Sequence, residues 1–266
     1  MFVSPSVFRS LSMAMLVAIA LPFLSPLSMA SEDGNTWMQK LDHANRNPAE
    51  SMTVEMSIQR PDGSTLQRTF ALDSWSDGKQ SARLLSFSAP ADLRGTALLT
   101  WTRPKSEDRW YHAPTLGTRR IGLTDQREPF VQSDLTIEDL TVSYDPANRT
   151  YTVLRTEELA GRTCVVVEDR PSNDKAARAS GYQKVLLWID TERIVSPKIE
   201  FYDTSGTLMK VLVAKEPVSV AGTWRYGASI VSNLLTGSQT TLTVKNRTLP
   251  ATLDAGHFSV EALDEN

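Results

Sequence analysis

The residues of this 266-residue chain that could do chemistry are three histidines, a single cysteine and 31 carboxylates. Their spacing assembles no reaction. His43, His112 and His257 lie far apart, and none has a partner at the spacing that zinc ligands keep. The chain carries no His-x-x-x-His, no Cys-x-x-Cys, no acidic calcium loop, no Gly-x-Ser-x-Gly elbow and no phosphate-binding glycine loop. Adjacent carboxylates such as Glu157-Glu158 and Glu138-Asp139 read as solvated positions rather than an acid/base pair. A catalytic pair would have to be assembled in space from residues distant in sequence. Cys164 stands in Arg-Thr-Cys-Val-Val-Val-Glu, without the cationic or helix-terminal setting that activates a thiol, so it reads as a small buried hydrophobe. The expectation is a chain with no catalytic residue, no metal and no cofactor, and therefore not an enzyme.

Charge narrows the partners. Lys and Arg number 28 against 31 Asp and Glu, a net charge of −3, and the two signs are evenly mixed. Nucleic acid demands a basic face, and anionic membranes reward one, so neither is expected as a general partner. The one basic run, Gly117-Thr-Arg-Arg120, reads either as a solvated hairpin end or, through Arg119 and Arg120, as a docking point for an acidic partner or lipid head group. Arg9, the apolar run from Leu11 to Leu24 broken by Pro22, and Ser28-Met-Ala30 form a secretory signal, with cleavage expected after Ala30. The rest, 31–266, is expected to be one exported domain in the periplasm, and a single cysteine that cannot pair within the chain suits that oxidising compartment. An uncleaved N-terminal anchor is the rival reading, although the run is short for a span. Two Asn-x-Thr sites, at Asn148 and Asn246, are chance occurrences in turns outside a glycosylating pathway.

The elements that must position any site are mostly strands. Trp37, Met38, Leu41 and Ala44 share one stripe of a helix spanning Thr36 to Asn47, which Asn47-Pro48 ends. Val54, Met56 and Ile58 then alternate with polar residues, Arg60-Pro-Asp-Gly-Ser64 turns the chain, and a second strand runs from Thr65 to about Leu72. Ten further short strands follow, starting near Ala82, Thr96, Arg109, Tyr151, Thr163, Lys184, Lys198, Leu208, Thr223 and Thr240. Helical interruptions are few: a turn at Ser133–Leu140 and a candidate at Asp174–Ala179. The fold class is mainly β (α+β), an antiparallel sheet or barrel with one amphipathic helix. A flat sheet of this size leaves an apolar face and two edges open. Curling it around the helix leaves a hydrophobic concavity, for which Phe87, Trp101, Trp110, Phe130, Leu140, Trp188 and Phe201 are the candidate lining. Each of them singly reads as core.

One stretch, Glu128-Pro-Phe-Val-Gln-Ser-Asp-Leu-Thr-Ile-Glu-Asp-Leu140, joins an apolar entry to a polar break and a Thr136-x-x-Asp139 pair with capping-box spacing. Here the chain resembles a known family. Phe130, Ser133, Asp134, Glu138, Asp139 and Leu140 match its Phe-x-Gly-Ser-Asp-x-x-x-Glu-Asp-Leu signature, with Gln132 in place of the usual Gly and Ile137 in place of an aromatic. Phe87-Ser-Ala-Pro-Ala-Asp-Leu-Arg-Gly-Thr-Ala-Leu-Leu99 is similar to its Pro-x-Asp-x-x-Gly-Thr segment, and Arg109-Trp-Tyr-His-Ala-Pro with Arg119-Arg-Ile121 resembles its Trp-x-Tyr-x-Pro hairpin. Leu187-Trp-Ile-Asp190, Pro197-Lys-Ile-Glu-Phe-Tyr202 and Gly206-Thr-Leu-Met-Lys210 resemble its C-terminal half. The family is the outer-membrane lipoprotein-sorting proteins, LolA-like and periplasmic, and the resemblance runs from about residue 32 to 263.

The resemblance implies an incomplete β-barrel, closed by helices, whose interior accepts acyl chains of a lipid or acylated protein. It also implies work beside an inner-membrane exporter, such as one of the RND type, and it implies no catalytic residues. The expectation is a monomeric carrier. The alternatives are an RseB-like envelope sensor or exporter accessory acting by protein contact, and, less favoured, an enzyme on a hydrophobic substrate.

Overall fold

The computed structural model describes residues 1, 32–46, 49–104, 106–122, 124–140, 143–249 and 251–264. The chain divides into two units, residues 1–31 and 32–266, and the elements among the described residues lie in the second. The expected leader, its cleavage site and the helix end at Asn47-Pro48 lie outside the described residues.

Helix α1 (Gly34–Asn45) starts two residues ahead of the expected Thr36, because the cap is Asp33, whose Oδ1 accepts from the Thr36 N–H at 2.8 Å. Its apolar stripe buries Met38 and Leu41 against Tyr151, Val165 and Val167, with Trp37 half-buried beside them. The helix begins so close to the sheet that a Cβ on Gly34 would lie 2.4 Å from the Tyr151 carbonyl.

Thirteen strands follow: β1 (Ala49–Gln59), β2 (Thr65–Ser76), β3 (Ser81–Ala89), β4 (Ala97–Arg103), β5 (Ser106–Ala113), β6 (Gly117–Arg120), β7 (Arg149–Leu159), β8 (Arg162–Pro171), β9 (Lys184–Asp190), β10 (Lys198–Tyr202), β11 (Leu208–Val220), β12 (Thr223–Asn233) and β13 (Gln239–Thr248). Helix α2 (Asp174–Ser180) lies between β8 and β9. They form one sheet in the order β6-β5-β4-β3-β2-β1-β13-β12-β11-β10-β9-β8-β7, with antiparallel neighbours throughout. Two meanders therefore grow outward from a central seam, where Val54 pairs with Val244 and Met56 with Leu242. The edges are β6 and β7, so the curled sheet is not closed.

Period-two alternation decides what each face holds. On the inner face Val54, Met56, Ile58, Phe70, Leu85, Phe87 and Leu98 pack together in one half, and Val185, Leu187, Ile199 and Phe201 in the other. The outer face is also covered. Leu84 and Leu99 pack beneath Phe258 and Leu263 of the C-terminal tail, and the Trp101 indole N–H donates to the Phe258 carbonyl at 2.7 Å. On the other half Cys164, Val166, Leu186 and Trp188 form an outer cluster.

Two elements differ from the sequence reading. The basic run Gly117-Thr-Arg-Arg120 is itself a strand, with Arg119 paired to Tyr111 and Arg120 to Trp110. Strand β11 continues to Val220, well past the apolar alternation that ends near Val213, because β12 supplies backbone partners along that whole length.

Candidate functional site

Residues 124–140 and 143–148 lie between β6 and β7, the two edge strands of the sheet. They cross over the inner face as a strap. Phe130 seats the strap on Phe87, ring centroids 5.7 Å apart, and Ile137 joins the same cluster. A tight reversal follows, in which the Phe130 N–H donates to the Leu135 carbonyl at 2.7 Å. Val131 and Gln132 pay for it with left-handed backbone, φ 45° and 67°. That geometry accounts for glycine at the Gln132 position of the signature. Ser133 is buried, and its hydroxyl accepts from the Leu135 N–H at 3.2 Å. The Asp134 carboxylate accepts from Ser238 at 2.5 Å and Thr240 at 2.7 Å, which ties the strap to the β12–β13 turn and β13. Thr136 and Asp139 form the expected capping box: the Thr136 N–H donates to Asp139 Oδ2 at 2.6 Å, and the Asp139 N–H donates to Thr136 Oγ1 at 3.3 Å.

Asp139 does more than cap. The Tyr182 hydroxyl donates to its other oxygen at 2.8 Å, and the ammonium of Lys210, from β11, bonds its Oδ2. Lys210 is only 1% exposed and donates again to the Asp134 carbonyl at 3.0 Å. The rings of Phe201 and Tyr182 lie 4.8 and 5.2 Å from its nitrogen. A buried ammonium is tolerable only when so surrounded. Burial beside the Asp139 charge drives the Tyr182 hydroxyl far above its ordinary range, so it stays a donor.

Glu138, one residue earlier, faces the gap between the sheet margins. One oxygen accepts from Arg109 of β5 at 2.9 Å, and the other lies 3.6 Å from Arg149 of β7. Arg109 also meets Glu107 at 2.5 Å, and Arg149 meets Asp169 at 2.5 Å. Burial pushes the Glu107 and Asp169 carboxyls above their usual range, against the pull of Arg109 and Arg149 respectively.

Beside this chain of charges lies a cavity of about 580 Å³. Val185, Leu187, Ile199, Phe201, Leu212 and Tyr182 give it an apolar wall, and Arg109, Glu138 and Arg149 a charged one. A separate polar cavity of about 20 Å³ lies near the end of α1, against Ser74–Ser76 and Ser81–Arg83.

Of the seven apolar candidates, the structure places Phe201 alone in the cavity wall. Phe130 and Leu140, both on the strap, join the same inner-face cluster as Phe87. Trp101 and Trp110 lie on the outer face under the C-terminal tail, and Trp188 lies on the outer face of β9. Strand parity separates them: Leu187 points inward, so Trp188 points outward. Glu138, Asp139 and Arg120 line the cavity, whereas Ser133 and Asp134 anchor the strap outside it. Arg119 and Arg120 are exposed, but each is engaged by a carboxylate of the chain, Asp125 and Asp108. Cys164 is fully buried, and burial raises its thiol to about 11. Arg109, Arg149 and Lys210 are not among the candidate site residues of the sequence, where no spacing sets them apart from the chain's other cations.

Comparisons with known proteins agree with this geometry. A family model described as that of an uncharacterized protein matches residues 79–265, well over half of the chain. An outer-membrane lipoprotein-sorting protein domain from Vibrio parahaemolyticus is similar at 26% identity and a TM-score of 0.79, covering 87% of this chain and 98% of that one. A DUF1329 family protein from Desulfovibrio piger is similar at 25% identity and a TM-score of 0.78, covering 86% and 97%. A LolA superfamily protein from Nitrosomonas europaea shares the fold, with 21% identity, a TM-score of 0.66 and coverage of 86% and 98%. No curated protein matches the chain. The chain belongs to the family of the model that matches residues 79–265, described as that of an uncharacterized protein, and its open antiparallel sheet is similar to those of the outer-membrane lipoprotein-sorting protein domain and the DUF1329 family protein.

Proposed function

We propose that this protein is a periplasmic carrier that shelters the acyl chain of a lipid or lipoprotein between its strap and the inner face of its sheet. The observation that carries the reading is the cavity of about 580 Å³ walled by Val185, Leu187, Ile199, Phe201 and Leu212. Its size falls within the roughly 300–1,000 Å³ of small-molecule sites. An acyl chain entering it gains about 0.8 kcal/mol for each methylene buried. Hydrophobic burial has no direction, so such a site holds chains of different length and releases them to any acceptor offering a better apolar surface. An inner-membrane exporter of the RND type as donor, and an outer-membrane acceptor, fit this role. The reading involves no catalysis, and the lipoprotein-sorting relative supports it.

The test is solvent extraction and mass spectrometry of protein purified without detergent, together with titration of a fluorescent fatty acid. Co-purifying lipid and saturable binding are expected. Protein that is lipid-free and also fails to bind the fatty acid would overturn the carrier role.

A further inference from the structure

The cavity is not uniformly apolar, and its polar part has unspent bonding capacity. Among the described residues, Arg109 Nε and the Ser180 hydroxyl are buried without a hydrogen-bond partner, and both residues line the cavity. More than nine-tenths of buried polar groups find partners, so such orphans on residues lining a cavity mark groups that a ligand can satisfy. The charge points the same way. Seven cations and five carboxylates line the cavity, a positive excess in a chain whose net charge is −3. One of the five, Asp139, is already neutralised by Lys210, which is not among the lining residues.

Glu138 occupies the centre of this arrangement. It is the carboxylate set between Arg109 and Arg149, it is half-buried, and it rides on the strap rather than on the sheet. The two arginines have further partners on strands, Glu107 and Asp169, and do not depend on Glu138 for all of their pairing. A guanidinium presents several donors in a plane and accepts phosphate or carboxylate equally well.

We propose that the ligand is an anionic amphiphile, an acyl chain bearing a phosphate or carboxylate, whose head group replaces Glu138 between Arg109 and Arg149. The proposal rests on the carrier reading and names its substrate class. The acyl chain lies along the Leu187–Phe201 wall, and the head group sits at the sheet margins. Displacing Glu138 also undoes the clasp that joins β5 to β7 through the strap, so loading and loosening of the strap are one event.

The experiment is calorimetric titration of the full-length exported chain with dodecyl phosphate, with uncharged monododecanoyl glycerol and with inorganic phosphate, for the wild type and Glu138→Gln. Thermal melting confirms that the variant is folded. The expected result is that dodecyl phosphate binds about tenfold or more tighter than the glycerol ester, as a charge-assisted bidentate contact predicts. Glu138→Gln, which removes the competing carboxylate, should widen that preference, and added salt should narrow it. Equal binding of both amphiphiles overturns the head-group proposal and leaves the carrier reading intact; the wild-type comparison decides this even where the variant does not fold. Inorganic phosphate binding as tightly as dodecyl phosphate, with no binding of the ester, overturns the carrier reading and reduces the site to one for free phosphate. Binding of none of the three overturns both.

Discussion

Lys210 and Asp139 form a buried ion pair that pins the strap to the middle of the sheet. Lys210 also donates to the Asp134 carbonyl, and Asp139 also binds Tyr182 and Thr136, so every partner of the pair belongs to the strap or the cavity wall. Removing one member leaves the other charged and dry, at a cost of about 3–5 kcal/mol. Lys210→Met is therefore expected to lower stability by that amount in urea denaturation. Adding Asp139→Asn to it should return part of the loss, because the stranded carboxylate is gone. A double variant less stable by the sum of the single losses would show that the two residues act independently.

Gln132 holds a left-handed backbone at φ 67° with little to fix it, since its side chain accepts only from exposed Arg60 at 3.1 Å. Glycine adopts that conformation without strain. Gln132→Gly should raise stability by about 0.5–1 kcal/mol, seen as a higher melting temperature. A lower melting temperature would mean that the Arg60 contact outweighs the strain.

Gly34 makes the opposite case. Alanine favours helices, yet at Gly34 its Cβ would meet the Tyr151 carbonyl carbon and oxygen at 2.4 Å and the Thr152 nitrogen at 2.7 Å. Those are backbone atoms of β7 and cannot swing aside. Gly34→Ala is expected to lift α1 from the sheet and cost about 1–3 kcal/mol, with Trp37 becoming more exposed in its fluorescence. An unchanged or increased stability would count against the close approach.

Asp190 sets an acid limit. Burial raises its carboxyl, but two bonds from Arg162, at 2.8 and 2.9 Å, and the N–H groups of Arg193 and Glu192 outweigh it, so the folded-state pKa lies below the ordinary value. A carboxyl depressed on folding contributes stability that is present above about pH 4, its unfolded value, and is lost as pH falls further. Asp190→Asn should cost about 1.5–3 kcal/mol at neutral pH. The difference from wild type should shrink as denaturation midpoints are followed downward from pH 5. A gap that stays constant with pH would show that Asp190 contributes through packing alone.

Much of the architecture is legible in the sequence. Alternation at Val54, Met56 and Ile58 and the Pro and Gly turns mark the strands, and Thr136-x-x-Asp139 announces a capping box that the structure contains. The site is less legible, for two reasons. First, aromatic residues reveal burial but not the face on which they are buried. Runs such as Leu186-Leu-Trp-Ile189 are apolar on both faces, which places Trp188 outside and Leu187 inside only once a tail or neighbouring strand is known to cover the exterior. Second, Arg109, Arg149 and Lys210 become an electrostatic centre only because the strap passes between them, and that passage depends on β6 and β7 being opposite edges. No local pattern records strand order.

The seam between β1 and β13 also governs the order in which the molecule can be assembled. The first strand has β2 as an early neighbour, but its second neighbour is the last strand of the chain. Each meander can form by short-range pairing, whereas the seam needs residues from both ends, a pairing of high contact order that closes late. Until Gln239–Thr248 is present, β1 stands as an open edge of alternating Val54, Met56 and Ile58, the sort of edge that recruits other chains. A chain cut short before β13 would thus lose far more than one strand: it would leave two half-sheets, each with a sticky inner margin, and nothing to join them.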